Sequence, residues 1–413
     1  MLSSLKNKLP DLVLGFLFFA IISQRPEPYF SFVMWIFLLF LIYDVYRCHK
    51  LGKPYVPNLK EIRVIIGGMA IFYGALILDS LLIGDMGAVR KAIDYMCYTG
   101  PFFMVWWIRS KYTSDEGAAW GIATGILASC VLGIWHLHIH LRPIVDRLYG
   151  SYFHPNVFAT ALTTTSPMTA YFSVRSKKGA PKALLALCTV VQIIALYFTY
   201  SRGGYLSFIA GFPLAVFIVV MTARTKIASR VKKGLIGFII LALILGGGAL
   251  YIRQDSLSAS QKLGGERIQM RTASMEMWKE HKFLGVGLDN WQENYYGKYK
   301  PARITEFDNK QPHNMTIYFL ATSGLLGFLG YYAFLCSVFY SVITIGRRGN
   351  PLLYIAVLCV LLAFYIHGWL DQTIITKGLS RIYFAVLGYY MAVMADLPEK
   401  IKNRIRSEKD ESL

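Results

Sequence analysis

Apolar residues along this chain do not alternate with polar ones. They come in blocks of about 20, separated by short polar stretches. A helix rises about 1.5 Å per residue, so a block of that length can cross the hydrocarbon core of a bilayer. The blocks fall at roughly 11–23, 28–46, 62–84, 91–109, 116–137, 156–174, 182–200, 203–223, 234–252, 314–346, 351–370 and 381–396. The tenth is longer than one crossing needs, which predicts a turn near His313 and the main span from about Leu325. The first follows Lys6 and Lys8, but no small-residue cleavage site comes after it, and 24–28 reads as a turn. It is therefore expected to stay as the first helix. The pattern predicts an all-α, polytopic membrane protein with about twelve transmembrane helices and one large loop.

Composition agrees: 55% of the residues are hydrophobic, and only 16% are charged, too few for a soluble domain of 413 residues. The expected organisation is helices one to nine over 1–252, a large loop with short helices over 253–312, helices ten to twelve over 313–397, and a basic tail over 398–413. Six cysteines lie in or beside apolar blocks without a C-x-x-C pair, so neither a disulfide scaffold nor thiolate metal chemistry is indicated.

The net charge of +19 could suggest nucleic acid, but its distribution does not. Basic clusters occupy alternate loops, at 47–60, 109–111, 175–182, 224–233 and 347–348, and the tail continues the series. This is the positive-inside bias, which puts both termini in the cytoplasm. The far side then carries 138–156, the corner at Ser201-Arg202-Gly203, and the loop 253–312.

The candidate chemistry lies on that far side. Arg202 sits between two apolar blocks, where a guanidinium must snorkel to headgroups or pair with an anion. Gly203 and Gly204 beside it could let a phosphate approach the backbone. Arg267 and Arg271 are four apart, so on a helix they share a face, and their forked donors suit phosphate oxygens. A solvated basic face paired with Glu266 or Glu276 would explain them as well. His313, followed by Asn314, opens the tenth block and is the side chain best suited to take a proton near neutral pH, although an isolated His there could be merely interfacial. Gly324, Gly327 and Gly330 form a small-residue ridge on which a helix or a lipid chain can pack.

Other features argue less. His136, His138 and His140 alternate, but only His136 and His140 would share a helical face, with Asp146 the only acidic residue nearby, so they are not read as a metal site. Asp79, inside the third block, needs a partner or a polar cavity. There is no Asp-x-Asp pair on the outer face, no Walker loop and no G-x-S-x-G, so metal-dependent sugar-nucleotide transfer, ATP hydrolysis and serine hydrolysis lack their usual signals.

These sites, in this order, resemble the bacterial O-antigen ligase family, related to the O-antigen polymerases. His313-Asn314, nine residues from Met315 to Ser323, and Gly324-Leu325-Leu326-Gly327 match its signature of His, then Asn, Ser or Gln, nine residues and Gly-x-x-Gly. Tyr200-Ser201-Arg202-Gly203-Gly204 is similar to the family's Ser-Arg-Gly corner, and Gly150 to Asn156 to its Gly-x-x-x-x-Pro-Asn loop. The segment from Arg267 to Gly287 is similar to its Arg-helix-Gly-Val-Gly element.

The resemblance implies a GT-C-like glycosyltransferase of the bacterial inner membrane. It would move a glycan from undecaprenyl pyrophosphate to a hydroxyl of the lipid A–core oligosaccharide, with inversion, on the periplasmic face. No metal or other cofactor is implied, and the partners are the lipid-linked donor, the core-lipid acceptor and membrane lipids, not nucleic acid. Arg202 with Arg267 or Arg271 would hold the pyrophosphate and His313 would be the base. Asn314 would orient His313 or a sugar hydroxyl, with Ser201, Gly203, Asn156, Gly324 and Gly327 in support; the glycine ridge and lipid-facing spans would admit the polyprenyl tail. An O-antigen polymerase is the nearest alternative, although only Arg253…Gly264 fits the polymerases' paired Arg-x10-Gly elements. A protein O-oligosaccharyltransferase would need a protein acceptor. A lipid-linked glycan transporter would need paired, broken, charged helices, and only Asp79 and Asp94 stand out.

Overall fold

Blocks of Leu, Ile, Val and Phe with no water to bond must satisfy their backbone internally, and helices do so. The computed structural model describes residues 2–24, 28–112, 115–140, 147–177, 179–222, 258–301 and 309–410, and every regular element among them is helical. They are α1 (Leu2–Ser23), α2 (Pro28–Leu51), α3 (Arg63–Ile83), α4 (Met86–Cys97), α5 (Gly100–Lys111), α6 (Glu116–His140) and α7 (Pro155–Arg175). Then follow α8 (Gly179–Phe198), α9 (Arg202–Thr222), α10 (Ser258–Glu280), the short α11 (Trp291–Asn294), α12 (Met315–Gly346), α13 (Pro351–Gly368) and α14 (Lys377–Asp410). Among the described residues, seven helices (α2, α3, α6, α8, α9, α12 and α13) are long and apolar enough to cross a bilayer. The chain is a multi-pass membrane protein. The expected span at 234–252, the basic cluster at 224–233, Arg253, Asp146 and the side chains of His136, His138 and His140 lie outside the described residues.

One expectation needs correction. The block at 91–109 is not one span but parts of two 12-residue helices, α4 and α5. At about 1.5 Å per residue neither reaches across an apolar core of about 30 Å. Thr99-Gly100-Pro101 explains the break, since Pro101 lacks an amide proton and begins a helix more readily than it continues one. α14 runs through to Asp410.

α7 has the length of a span, yet Thr163, Thr164, Thr165 and Thr169 are buried along it. Thr164 and Thr165 bond back to Thr160 and Ala161 carbonyls, and Gln192 of α8 bridges Thr165 and Thr169. The helix is an interior strut.

Glycine sets the close crossings. Gly117, Gly121 and Gly125, spaced by four on α6, lie directly on the backbone of α1. The ridge on α12 is filled in the same way: Gly327 meets Leu76, and Gly330 meets Ala75 and Phe72, all on α3. The polyprenyl route expected along this ridge is therefore taken up by a helix.

α12 is broken at Ser323 and Gly324, where Gly324 has φ +55° and ψ −153°. The Phe-Leu-Gly-Val-Gly stretch docks into the break and satisfies its backbone. Val286 and Gly287 N–H groups donate to the Ala321 and Thr322 carbonyls at 2.9 Å, and Leu325 N–H donates to the Lys282 carbonyl at 2.9 Å. The Gly-x-x-Gly and Gly-Val-Gly elements thus hold each other, and they anchor α10 and its loop to the helix that begins after His313. A Cβ on Gly324 would overlap the Phe283 carbonyl. Gly324→Ala is expected to cost on the order of 1–3 kcal/mol from backbone strain alone, with the overlap in addition. Thermal unfolding in detergent checks this, and an unchanged Tm would refute the latch.

Candidate active site

Four segments meet at one end of the bundle. The first, 147–156, is pinned by the Leu148 N–H donating to the Phe198 carbonyl at 2.9 Å and by Tyr152 Oη donating to the Ile22 carbonyl at 2.7 Å. His154 caps α7, its Nδ1 accepting the Asn156 N–H at 3.2 Å, and Pro155 follows at the first turn, where its missing donor costs nothing. This cap fixes Asn156, which is buried.

The second segment is the corner at 199–204. Ser201 is buried, and its Oγ accepts the Gly204 N–H at 3.2 Å, so it caps α9. The room left by the two glycines goes to neighbouring helices: a Cβ on Gly203 would lie 3.1 Å from His367 Nε2, and one on Gly204 2.7 Å from Ala159 Cβ. That space holds side chains, not the phosphate expected from sequence. Arg202 is exposed at the start of α9.

The third segment is α10. Arg267 and Arg271 do share one face, but they differ in what they hold. Arg267 donates to the Leu370 carbonyl (3.3 Å) and to Asp371 Oδ2 (3.4 Å). Arg271 is committed to backbone: one terminal nitrogen donates to the His313 carbonyl at 2.7 Å and to the Trp369 carbonyl at 3.3 Å.

The fourth brings His313 to the loop after α13. His313 stands in the left-handed region, φ +52°, rare for a residue with a Cβ. Two bonds hold it there: its N–H donates to Gln311 Oε1 at 3.0 Å, and its carbonyl takes Arg271. Its Nδ1 lies 2.9 Å from Asp371 Oδ1. An ionised carboxylate only accepts, so Nδ1 carries the proton and Nε2 is left as the basic lone pair. The Asn314 side chain is directed to backbone groups. It caps α12 through the Ile317 N–H (2.9 Å) and donates to the Trp369 carbonyl (3.0 Å).

Asp371 is the hub of the site. Oδ1 takes His313 and the Gln372 N–H (2.8 Å), while Oδ2 takes Asn156 (2.6 Å) and Arg267. Asn156 in turn accepts from Arg147 at 2.7 Å. Burial alone would raise the Asp371 carboxyl, but the His313 hydrogen bond and the charges of His313 and Arg267 more than offset it, holding the group well below the usual carboxylate range. The guanidiniums also feel each other: burial, then Arg267 and Arg202, depress the Arg147 pKa. Arg147, Arg267 and Arg271 thus gather around one carboxylate, and Arg202 is close enough to act on Arg147, so four arginines make the setting strongly electropositive.

Asp371, Arg147 and His367, whose Nδ1 meets Thr160 Oγ1 at 2.8 Å, went unnoticed in the sequence. The only signal for Asp371 was an acidic residue directly behind the apolar run of α13.

Residues 187–332 match the family described as O-Antigen ligase, a domain that occurs in O-antigen ligases and polymerases. The match contains Arg202, Arg267, Arg271 and His313 but neither Asn156 nor Asp371. No curated protein matches the chain.

Proposed function

We propose that the O-antigen ligase domain of this chain transfers an O-antigen glycan from undecaprenyl pyrophosphate to a hydroxyl of the lipid A–core oligosaccharide. The reaction would run on the periplasmic face of the inner membrane, with both termini cytoplasmic. The observation that carries this reading is the His313–Asp371 pair set among arginines. In the step proposed, the acceptor hydroxyl oxygen attacks the anomeric carbon from the face opposite the pyrophosphate. The bond from that carbon to the pyrophosphate oxygen breaks, its electron pair leaves with the phosphate, and the hydroxyl proton passes to His313 Nε2. The anomeric centre inverts. Asp371 holds the tautomer and stabilises the imidazolium.

Negative charge builds on the leaving pyrophosphate, and preorganised cations lower that barrier. Arg202, exposed beside the site, and Arg267, partly exposed, are assigned to the pyrophosphate. Arg271, spent on two carbonyls, is assigned to holding His313 in place. Ser201, Asn314 and Gly203 support through backbone and packing, and Asn156 supports by bridging Arg147 to Asp371.

The test is purified protein with lipid-linked glycan, offered either core lipid or glycan as acceptor without added divalent metal. Product on core lipid is expected. Chain extension in place of capping would make the protein an O-antigen polymerase, the other class in which the domain occurs; transfer to protein alone would make it a protein O-oligosaccharyltransferase.

A further inference from the structure

A cavity of about 320 Å³ opens beside the site, between the C-terminal end of α1, the 152–157 segment and the start of α14. It is within the size range of small-ligand sites. Two of its walls are continuous with the His–Asp pair: Gln372 follows Asp371, and His154 precedes by two residues the Asn156 that bonds Asp371. None of the four arginines lines it. The mechanism proposed above leaves it unused.

Its chemistry is that of a saccharide site. The side-chain amides of Gln24 and Gln372 supply donors and acceptors in pairs. His154 Nδ1 accepts a backbone N–H, so the proton of the neutral ring sits on Nε2 and that edge can donate. Thr376 Oγ1 is buried on the cavity wall with no hydrogen-bond partner among the described residues, a cost that a bound hydroxyl would remove. Phe153, 87% exposed at the lip, offers a flat apolar face of the kind that covers the C–H face of a sugar ring. Lys377 and Arg381 complete the wall with positive charge.

We infer that this cavity is the acceptor subsite, binding the terminal sugars of an anionic core oligosaccharide and presenting a hydroxyl toward His313. The inference rests on the glycosyl-transfer reading. It divides the substrates across the Asp371 loop: donor pyrophosphate on the arginine side, acceptor sugars on the amide side.

The experiment uses the full chain in detergent and varies donor and acceptor separately. Thr376→Val and Phe153→Ala change little volume or lie on the surface, so both should fold, as thermal unfolding will verify. Each is expected to raise the KM for core acceptor at least 10-fold while the donor KM stays within about twofold. In a parallel arm without donor, delipidated core oligosaccharide should bind wild type and bind both variants more weakly in a calorimeter. If wild type transfers to core lipid but the variants keep its acceptor KM, the subsite is wrong and the ligase reading stands. If wild type only extends glycan chains and binds no core oligosaccharide, both fall together.

Discussion

His313→Ala is expected to insert and fold like wild type yet transfer glycan about 10²–10⁴-fold more slowly, the usual worth of a positioned general base. Folding should survive because the bonds that hold this residue at positive φ come from its backbone, through Gln311 and Arg271. Asp371 would keep Asn156, Arg267 and the Gln372 N–H as partners. The loss should appear in kcat and not in the donor KM, since proton transfer is made only in the transition state. In cells lacking the native protein, the variant should leave lipid-linked O-antigen to accumulate and core lipid uncapped. Full restoration of capping would end the case for His313 as base.

Much of the architecture could be read in advance because membrane helices follow from local composition. Apolar blocks announce α2, α3, α6, α8, α9, α12 and α13 without tertiary knowledge. The pattern failed at 91–109, where overall hydropathy outweighed a Thr-Gly-Pro break that only local backbone chemistry reveals. His313, Arg202, Arg267 and Arg271 could be picked out through short-range spacing. Asp371 could not: it lies 58 residues from His313, and no period links a loop aspartate to a histidine on another segment. Spacing placed Arg267 and Arg271 on one face, but their different tasks depend on what α10 faces, a carboxylate and a carbonyl at one position and two carbonyls at the next turn. The glycine signature was visible, but its meaning was not. It marks a broken helix clasped by the Gly-Val-Gly loop and a ridge covered by α3, neither of which touches substrate directly in the reading proposed here.

The sharpest consequence of the hub is that Asp371→Asn should cost about as much as losing the base itself, roughly 10³–10⁴-fold, by the argument that applies to any carboxylate holding a catalytic imidazole. An amide can turn its NH₂ toward His313, which favours the tautomer with the proton on Nε2 and removes the lone pair that would take the acceptor proton. Asp371→Ala goes further, leaving Asn156, Arg267 and His313 without their shared acceptor; the buried Asn156 amide, left unsatisfied, costs about 1–3 kcal/mol. The sign of the pH dependence follows from the depressed carboxyl. Its contribution to stability is fully present above the ordinary carboxylate value of about 3.9 and is lost only as pH falls through its lower folded value. Between pH 5 and about pH 8, therefore, Asp371 stays ionised and no part of an acid limb in the rate belongs to it. Across that window titration of the Asp371 carboxyl itself should add no step to the stability difference between wild type and Asp371→Asn, and no pH within it should restore the variant. Rates and Tm measured at unit steps check both statements. An Asp371→Asn protein that keeps a tenth of the wild-type rate at any of these pH values would remove Asp371 from the mechanism and leave His313 to act, if at all, without an orienting partner.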